Sequence, residues 1–140
     1  MIMNWWLVYQ KEDIERNRGY IDMFFRSCGS RNISIELLET PEAFDRLNTQ
    51  GSSLPSVVIN RSRDLSLSRI LEDKGVAVYN NSKVTKLGNN KLAAIRFAED
   101  LGIPVMKTAV DPADLDYPMI AKSISGHGGT EVFMLKSPSD

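Results

Sequence analysis

Apolar and polar positions alternate along the first 80 residues between two periods, one suited to strands and one to helices. "WWLVYQ" (5–10) is a short aromatic and β-branched run, the pattern of a buried strand. Ile14, Ile21, Phe24, Phe25 and Cys28 then recur near one helical face, with Gly29 where a helix would stop. "ISIELLE" (33–39) predicts a second strand. Thr40 as N-cap with Pro41 at the first helical position predicts a short helix over "TPEAFDRL". "VVIN" (57–60) predicts a third strand, "DLSLSRILEDKG" a third helix closed by Gly75, and "VAVYN" (76–80) a fourth strand. Strands alternating with helices at this pace imply a parallel sheet with right-handed crossovers. In such sheets ligands gather beyond the carboxyl ends of the strands, here marked by Gln10, Glu39, Asn60 with Arg61, and Asn80. The segment after the first strand, "YQKEDIERNRG", is charged and holds no GxGxxG, which argues against a dinucleotide site in this half.

The pattern changes after Asn80. "NNSKVTKLGNN" reads as a polar connection to a helix over "NKLAAIRFAEDLG" (90–102), capped by Asn89 or Asn90. Its apolar stripe is Leu92, Ile95, Ala98 and Leu101, and Gly102 ends it. "IPVMKTAV" is expected to be extended because Ile103 precedes a proline, and "DPADLDYP" to be a loop or single turn. "MIAKSI" and "TEVFML" predict two strands joined as a hairpin by a glycine-rich loop. The organisation expected is therefore α/β: a Rossmann-like parallel sheet with helices on both faces over 1–81, then a smaller α+β unit over 82–140.

Composition narrows the function classes. The chain has 140 residues, 42% of them apolar, and a formal net charge of −1. That balance argues against a nucleic-acid or membrane surface built on bulk positive potential. No apolar run approaches the length of a membrane helix, and the start lacks the features of a secretory signal. One cysteine, Cys28, allows no internal disulfide, and no cysteine–histidine spacing suggests zinc. A soluble, cytoplasmic protein is expected, with Cys28 a small core residue.

The chemistry concentrates in "MIAKSISGHGGTEVF" (119–133). Strand alternation puts Ile120, Lys122 and Ile124 on one face and Met119, Ala121 and Ser123 on the other. Lys122, between apolar neighbours, is expected to point into a partly apolar cleft. Gly126, Gly128 and Gly129 let backbone N–H groups approach a ligand closely, and consecutive N–H groups beside an ammonium make an anion site. Two readings follow from these residues: a lid over polyphosphate, or an edge-strand lysine with an ordinary glycine turn. The lysine precedes the glycines, so this is not a GxxxxGK[ST] loop. His127, the only histidine, either contacts a phosphate or is an exposed loop side chain. Lys91 sits in the first turn of its helix, where positive charge opposes the macrodipole; it is either held there by an anion or solvated at the surface.

The run "VVINRSRDLSLSRILEDKGVAVYNNSKVTKLGNNKLAAIRFAEDLGIPVMKT" followed by "YPMIAKSISGHGGTEVF" resembles the ATP-grasp superfamily, and within it the carboxylate–amine ligases of the ribosomal-protein glutamate ligase and glutathione synthetase type. The likeness lies in the order of a strand ending "vyN", a helix with an early lysine, a "GIPvPkT"-like strand, a "YPvvvKP" strand and a glycine-rich loop. The resemblance implies a pre-ATP-grasp Rossmann-like domain followed by the lid-bearing subdomain. It implies that Lys91 and Lys122 contact ATP phosphates, and that Ser125, Gly126, His127, Gly128, Gly129 and Thr130 form a lid over them. Asn60 and Arg61 would help hold the acceptor substrate. The intact enzyme would use ATP and Mg²⁺ to make an acylphosphate that an amine or thiol attacks, on small-molecule or peptide substrates. Two positions depart from the family: Asn90-Lys91 stands for Asp-Lys, and Lys122-Ser123 for Lys-Pro. Family members are longer, with adenine contacts and acidic and asparagine magnesium ligands beyond the glycine loop. The chain is therefore expected to be the N-terminal part of such an enzyme, inactive or nearly so by itself. The alternative is a complete flavodoxin-like binding module with a β-hairpin arm for a partner. In either case a bare hairpin edge is expected to pair, a second copy of the chain included.

Overall fold

The computed structural model describes residues 4–126 and 131–140. The chain divides into two compact units between Thr85 and Lys86.

The first unit is a four-stranded parallel sheet of β1 (Asn4–Tyr9), β2 (Ser34–Glu39), β3 (Val57–Asn60) and β4 (Ala77–Tyr79), in the order β2-β1-β3-β4. Its helices are α1 (Lys11–Ile14), α2 (Arg18–Gly29), α3 (Thr40–Asn48) and α4 (Leu65–Asp73). β1 pairs in register with β2, Trp6 opposite Glu36, and with β3, Trp6 opposite Val58. Because successive side chains leave a strand on opposite faces, β1 feeds two cores. Trp6 and Val8 pack with Ala43 and Leu47 of α3 and with Leu67 and Leu71 of α4. Leu7 and Tyr9 pack with Ile21 of α2, flanked by Ile14 and Phe24. Helices thus cover both faces, which explains why "WWLVY" is a continuous apolar run rather than an alternating one. The chain leaves β1 toward β2 on one side and returns to β3 on the other. Right-handed crossovers then require α2 to lie opposite α3 and α4, as observed.

Local chemistry closes the elements. The Asp64 carboxylate accepts from Leu67 N–H at 2.9 Å and starts α4. Gly75, at φ +78°, ends it in a left-handed turn in which Val76 N–H reaches the Leu71 carbonyl at 3.0 Å. Two expectations need correction. Thr40 does not cap α3: the N-cap position is Glu39, and the buried Thr40 hydroxyl donates instead to the Tyr9 carbonyl at 3.1 Å, tying α3 to the end of β1. The polar connection after Asn80 contains a helix, α5 (Ser82–Gly88). Asn81 Oδ1 accepts from Val84 N–H at 2.9 Å, and the Glu72 carboxylate of α4 accepts from Ser82 N–H at 2.7 Å. The Ser82 hydroxyl and backbone N–H beside it hold the Glu72 carboxyl below its ordinary pKa. The unit boundary falls within α5.

One surface ion pair links strand to helix. Arg46 of α3 grips Glu36 of β2 through two bonds, at 2.6 and 2.7 Å, and bonds Glu42 at 2.9 Å. Its guanidinium lies 5.9 Å from the Trp6 ring centroid. The Arg46 hydrogen bonds lower the Glu36 pKa and raise that of Arg46. A carboxyl whose folded pKa is depressed stabilises the fold above its unfolded value and loses that contribution as pH falls through the folded value. Both side chains are a third or more exposed, 34% and 45%, so solvent screening limits the pair to about 1 kcal/mol or less. Glu36→Gln is therefore expected to lower stability by up to about 1 kcal/mol at pH 7, and to lose that deficit at an acid pH below the depressed folded value. Urea melts of both proteins at the two pH values check this.

The second unit holds α6 (Lys91–Asp100), a 3₁₀ turn (Pro112–Asp114) and an antiparallel pair, β5 (Met119–Lys122) and β6 (Val132–Leu135). Asn90 caps α6 by accepting from Ala93 N–H at 2.8 Å, and Gly102 ends it at φ +72°. Residues 103–110 form neither helix nor strand. Met119 is the buried residue of this unit among those described, while Ile120, Phe133 and Met134 are exposed. No described helix is long and apolar enough to cross a membrane.

Candidate functional site

At the carboxyl edge of the parallel sheet, the direction of winding reverses between β1 and β3, the place where open α/β sheets leave a crevice. Asn60 ends β3 there and is 3% exposed. Its amide nitrogen donates to the Asp64 carbonyl at 3.0 Å and to Ser68 Oγ at 2.8 Å. Its amide oxygen accepts from Ser62 N–H at 3.0 Å and from Ser62 Oγ at 2.6 Å. Both ends of the amide are thus engaged in shaping the turn from β3 into α4. Arg61 follows at the surface. Its backbone N–H donates to the Val8 carbonyl at 2.8 Å, and its guanidinium lies 5.4 Å from the Tyr20 ring centroid. Arg63, at φ +64°, bonds Asp13 of α1 at 2.5 Å, and Gln10 Nε2 donates to the Ser62 carbonyl at 3.4 Å. Of the two residues predicted to hold an acceptor, Arg61 presents its side chain at this edge and Asn60 serves the turn.

In the second unit, residues far apart in sequence meet. Lys91 opens α6, and its backbone N–H donates to the Ile124 carbonyl at 2.9 Å. Its ammonium donates to the Ser123 carbonyl at 3.0 Å and to the Gly126 carbonyl. These oxygens supply the negative potential that a cation at a helix N-terminus otherwise lacks. The receiving turn has its own ties. Gly126 N–H donates to Ser123 Oγ at 2.8 Å, and Ser123 N–H donates to the Glu131 carbonyl at 3.3 Å across the hairpin. A Cβ at Gly126 would run into Ser123 Oγ and the Glu131 carboxylate, so the turn fits glycine.

Lys122 ends β5 opposite Val132 and is exposed. The expected alternation holds, since Met119 is buried and Ile120 and Ile124 are 47% and 46% exposed. Among the described residues the Lys122 face is open rather than a cleft: Lys122 shares it with Ile120, Val132 and Met134, all exposed, and Phe133 on the other face is exposed as well. Ser125 is exposed beside Gly126. The predicted lid residues His127, Gly128, Gly129 and Thr130 lie outside the described residues. Strand alternation places Ser123 with Met119 and Ala121, and in the ATP-grasp pattern it stands for proline. Its spacing to Gly126, a hydroxyl accepting the N–H three residues on, is a turn signature visible in the sequence. A proline there would have neither that hydroxyl nor the N–H that reaches Glu131.

An open depression of about 770 Å³ lies along the irregular segment, lined by Lys107, Val110, Asp111 and Asp114 among others. It includes none of the predicted site residues. Among the described residues no group of three or more His, Cys, Asp and Glu side chains is placed to hold a metal ion. No family model matches the chain, and no curated protein matches it.

Proposed function

We propose that this chain forms the phosphate-binding side of an ATP-dependent carboxylate–amine (or thiol) ligase of the ATP-grasp kind. The observation that supports it most is the meeting of Lys91 with the Ser123–Gly126 turn, which directly follows Lys122. Two lysines, one at a helix start and one at a strand end beside the same turn, are the cations that a polyphosphate needs. In the reaction a carboxylate oxygen attacks the γ-phosphorus of ATP, forming an acylphosphate and releasing ADP. An amine or thiol then attacks the acyl carbon and expels phosphate. The lysines bind and orient the phosphates and offset charge on the transferring group. Mg²⁺, for which the described residues offer no cluster of ligands, would neutralise charge on the phosphates when bound. Arg61 at the sheet edge is the residue we assign to the acceptor carboxylate.

The test is calorimetric titration of Mg·ATP into the wild-type chain, Lys122→Ala and Lys91→Met. Loss of one charge-assisted contact is expected to weaken binding by about tenfold or more in each variant. Unchanged affinity in both variants, or no binding by the wild type, would overturn the reading.

A second reading is favoured by a different feature. Ile120 and Met134, directly opposed on one face of the two-stranded sheet, are 47% and 61% exposed, the surface expected of a partner-binding arm. It predicts binding to a partner that survives Lys122→Ala and is lost on Met134→Glu.

A further inference from the structure

We propose that Lys91 is an anion-operated latch. Its ammonium orders the Ser123–Gly126 turn while no anion is bound, and moves to a polyphosphate when one arrives. The transfer half rests on the ATP reading above; the ordering half does not.

The argument starts from competition for one cation. An ammonium has three donors, and two are directed at the Ser123 and Gly126 carbonyls. Those carbonyls belong to a turn whose other ties among the described residues are few: Gly126 N–H to Ser123 Oγ, Ser123 N–H to the Glu131 carbonyl, and Lys91 N–H to the Ile124 carbonyl. Around it Ile124 and Ser125 are exposed, so apolar burial contributes little to holding it. The lysine is therefore a large part of what fixes the turn. Backbone carbonyls carry only partial charge, whereas each phosphate oxygen shares a full one. A polyphosphate reaching the same ammonium wins on Coulomb grounds. One donor is left over, so a phosphate that takes two or more must draw the ammonium off a carbonyl, and phosphate binding and turn ordering are then coupled through this single side chain.

The ordering half is read by amide hydrogen exchange, resolved by NMR, at Ser123, Gly126 and residue 91 of the 140-residue chain without nucleotide. Lys91→Met is expected to speed exchange at these amides by about tenfold or more, with amides of the parallel sheet unchanged. Lys91→Arg, which keeps charge and donors, is expected to restore part of the protection. Equal exchange in wild type and Lys91→Met overturns the latch. Should Lys91→Met lose the whole second unit, seen as uniform exchange from Leu92 to Ala121, Lys91→Arg decides: full loss of local protection in that folded variant also overturns it.

The transfer half is read on the wild-type Lys91 side-chain ¹⁵Nζ resonance, assigned through its loss in Lys91→Arg, during titration with Mg·ATP and with AMP. The expected result is a shift with Mg·ATP that saturates at the calorimetric affinity, and none with AMP. Binding seen by calorimetry with the resonance unmoved overturns the transfer while leaving the ATP reading standing. No binding by calorimetry overturns both the transfer and the ATP reading, and the exchange result alone then decides the ordering half.

Discussion

Replacing Leu71 by alanine is expected to lower the stability of the first unit by about 3 kcal/mol, within the 2–5 range of buried leucine truncations. Leu71 is fully buried on α4 and belongs to the cluster in which Trp6, Val8, Val58, Leu67 and Val78 meet. Truncation removes its transfer free energy and leaves a cavity that neighbours from three strands cannot all move to fill. For a unit of this size about 3 kcal/mol corresponds to a fall of roughly 10–20 °C in Tm. A control separates this from helix propensity. Ile70, its neighbour on α4, is 37% exposed, and Ile70→Ala is expected to cost about 1 kcal/mol or less, since alanine is the better helix former. Thermal melts followed by circular dichroism distinguish the two. Similar losses in both variants would mean that α4 does not pack on the sheet as described.

The parts of the fold legible in the sequence are those set by local periodicity and by residues with one conformational use. The third strand is observed over Val57–Asn60, the stretch that periodicity marks out. Gly75 and Gly102 end their helices at positive φ, as their places after apolar stripes predict. The strand order β2-β1-β3-β4 was not legible, because it depends on which helix covers which face, and each apolar stripe fits either. Helix α5 has one local tie, Asn81 accepting from Val84 N–H, but its first N–H is satisfied from elsewhere: Glu72 is ten residues upstream and reaches Ser82 only after α4 and β4 have packed. Thr40 departs from the capping role for a similar reason, its hydroxyl having a partner at the end of β1. A polar residue at a helix start has several partners in reach, and tertiary structure decides among them.

The candidate site divides the same way. Lys91, Lys122 and the glycines were identifiable as residues; that Lys91 meets the turn after Lys122 was not visible in any window of sequence. Ser123 illustrates the limit. As a letter it is a departure from the family pattern, and in the turn it accepts the Gly126 N–H.

Asn60 is where the two levels of reading separate most, and its substitution is the second large effect expected. As the last residue of β3 at the carboxyl edge, it stands where a ligand-binding side chain would. Its amide is nevertheless occupied at both ends by Ser62, Asp64 and Ser68. Asn60→Ala strips a buried Ser62 N–H of its acceptor and the Asp64 carbonyl of a donor, and it removes partners from two hydroxyls. Each buried polar group left unmet costs about 1–3 kcal/mol, so a loss of about 2–4 kcal/mol is expected after the hydroxyls re-pair. Asn60→Asp is the sharper probe. It keeps the oxygen that Ser62 uses but places a carboxylate oxygen against the Asp64 carbonyl, in a site where burial also disfavours charge. The folded pKa of that new carboxyl is expected to rise above its unfolded value. The variant should then regain stability as pH falls toward that value and lose it at neutral pH. A ligand-binding asparagine would behave otherwise: without ligand, both variants would melt within about 0.5 kcal/mol of wild type, the range of surface substitutions. Denaturant melts of the two variants without ligand, at pH 7 and pH 5, therefore decide whether Asn60 builds the turn that presents Arg61 or itself belongs to the binding surface.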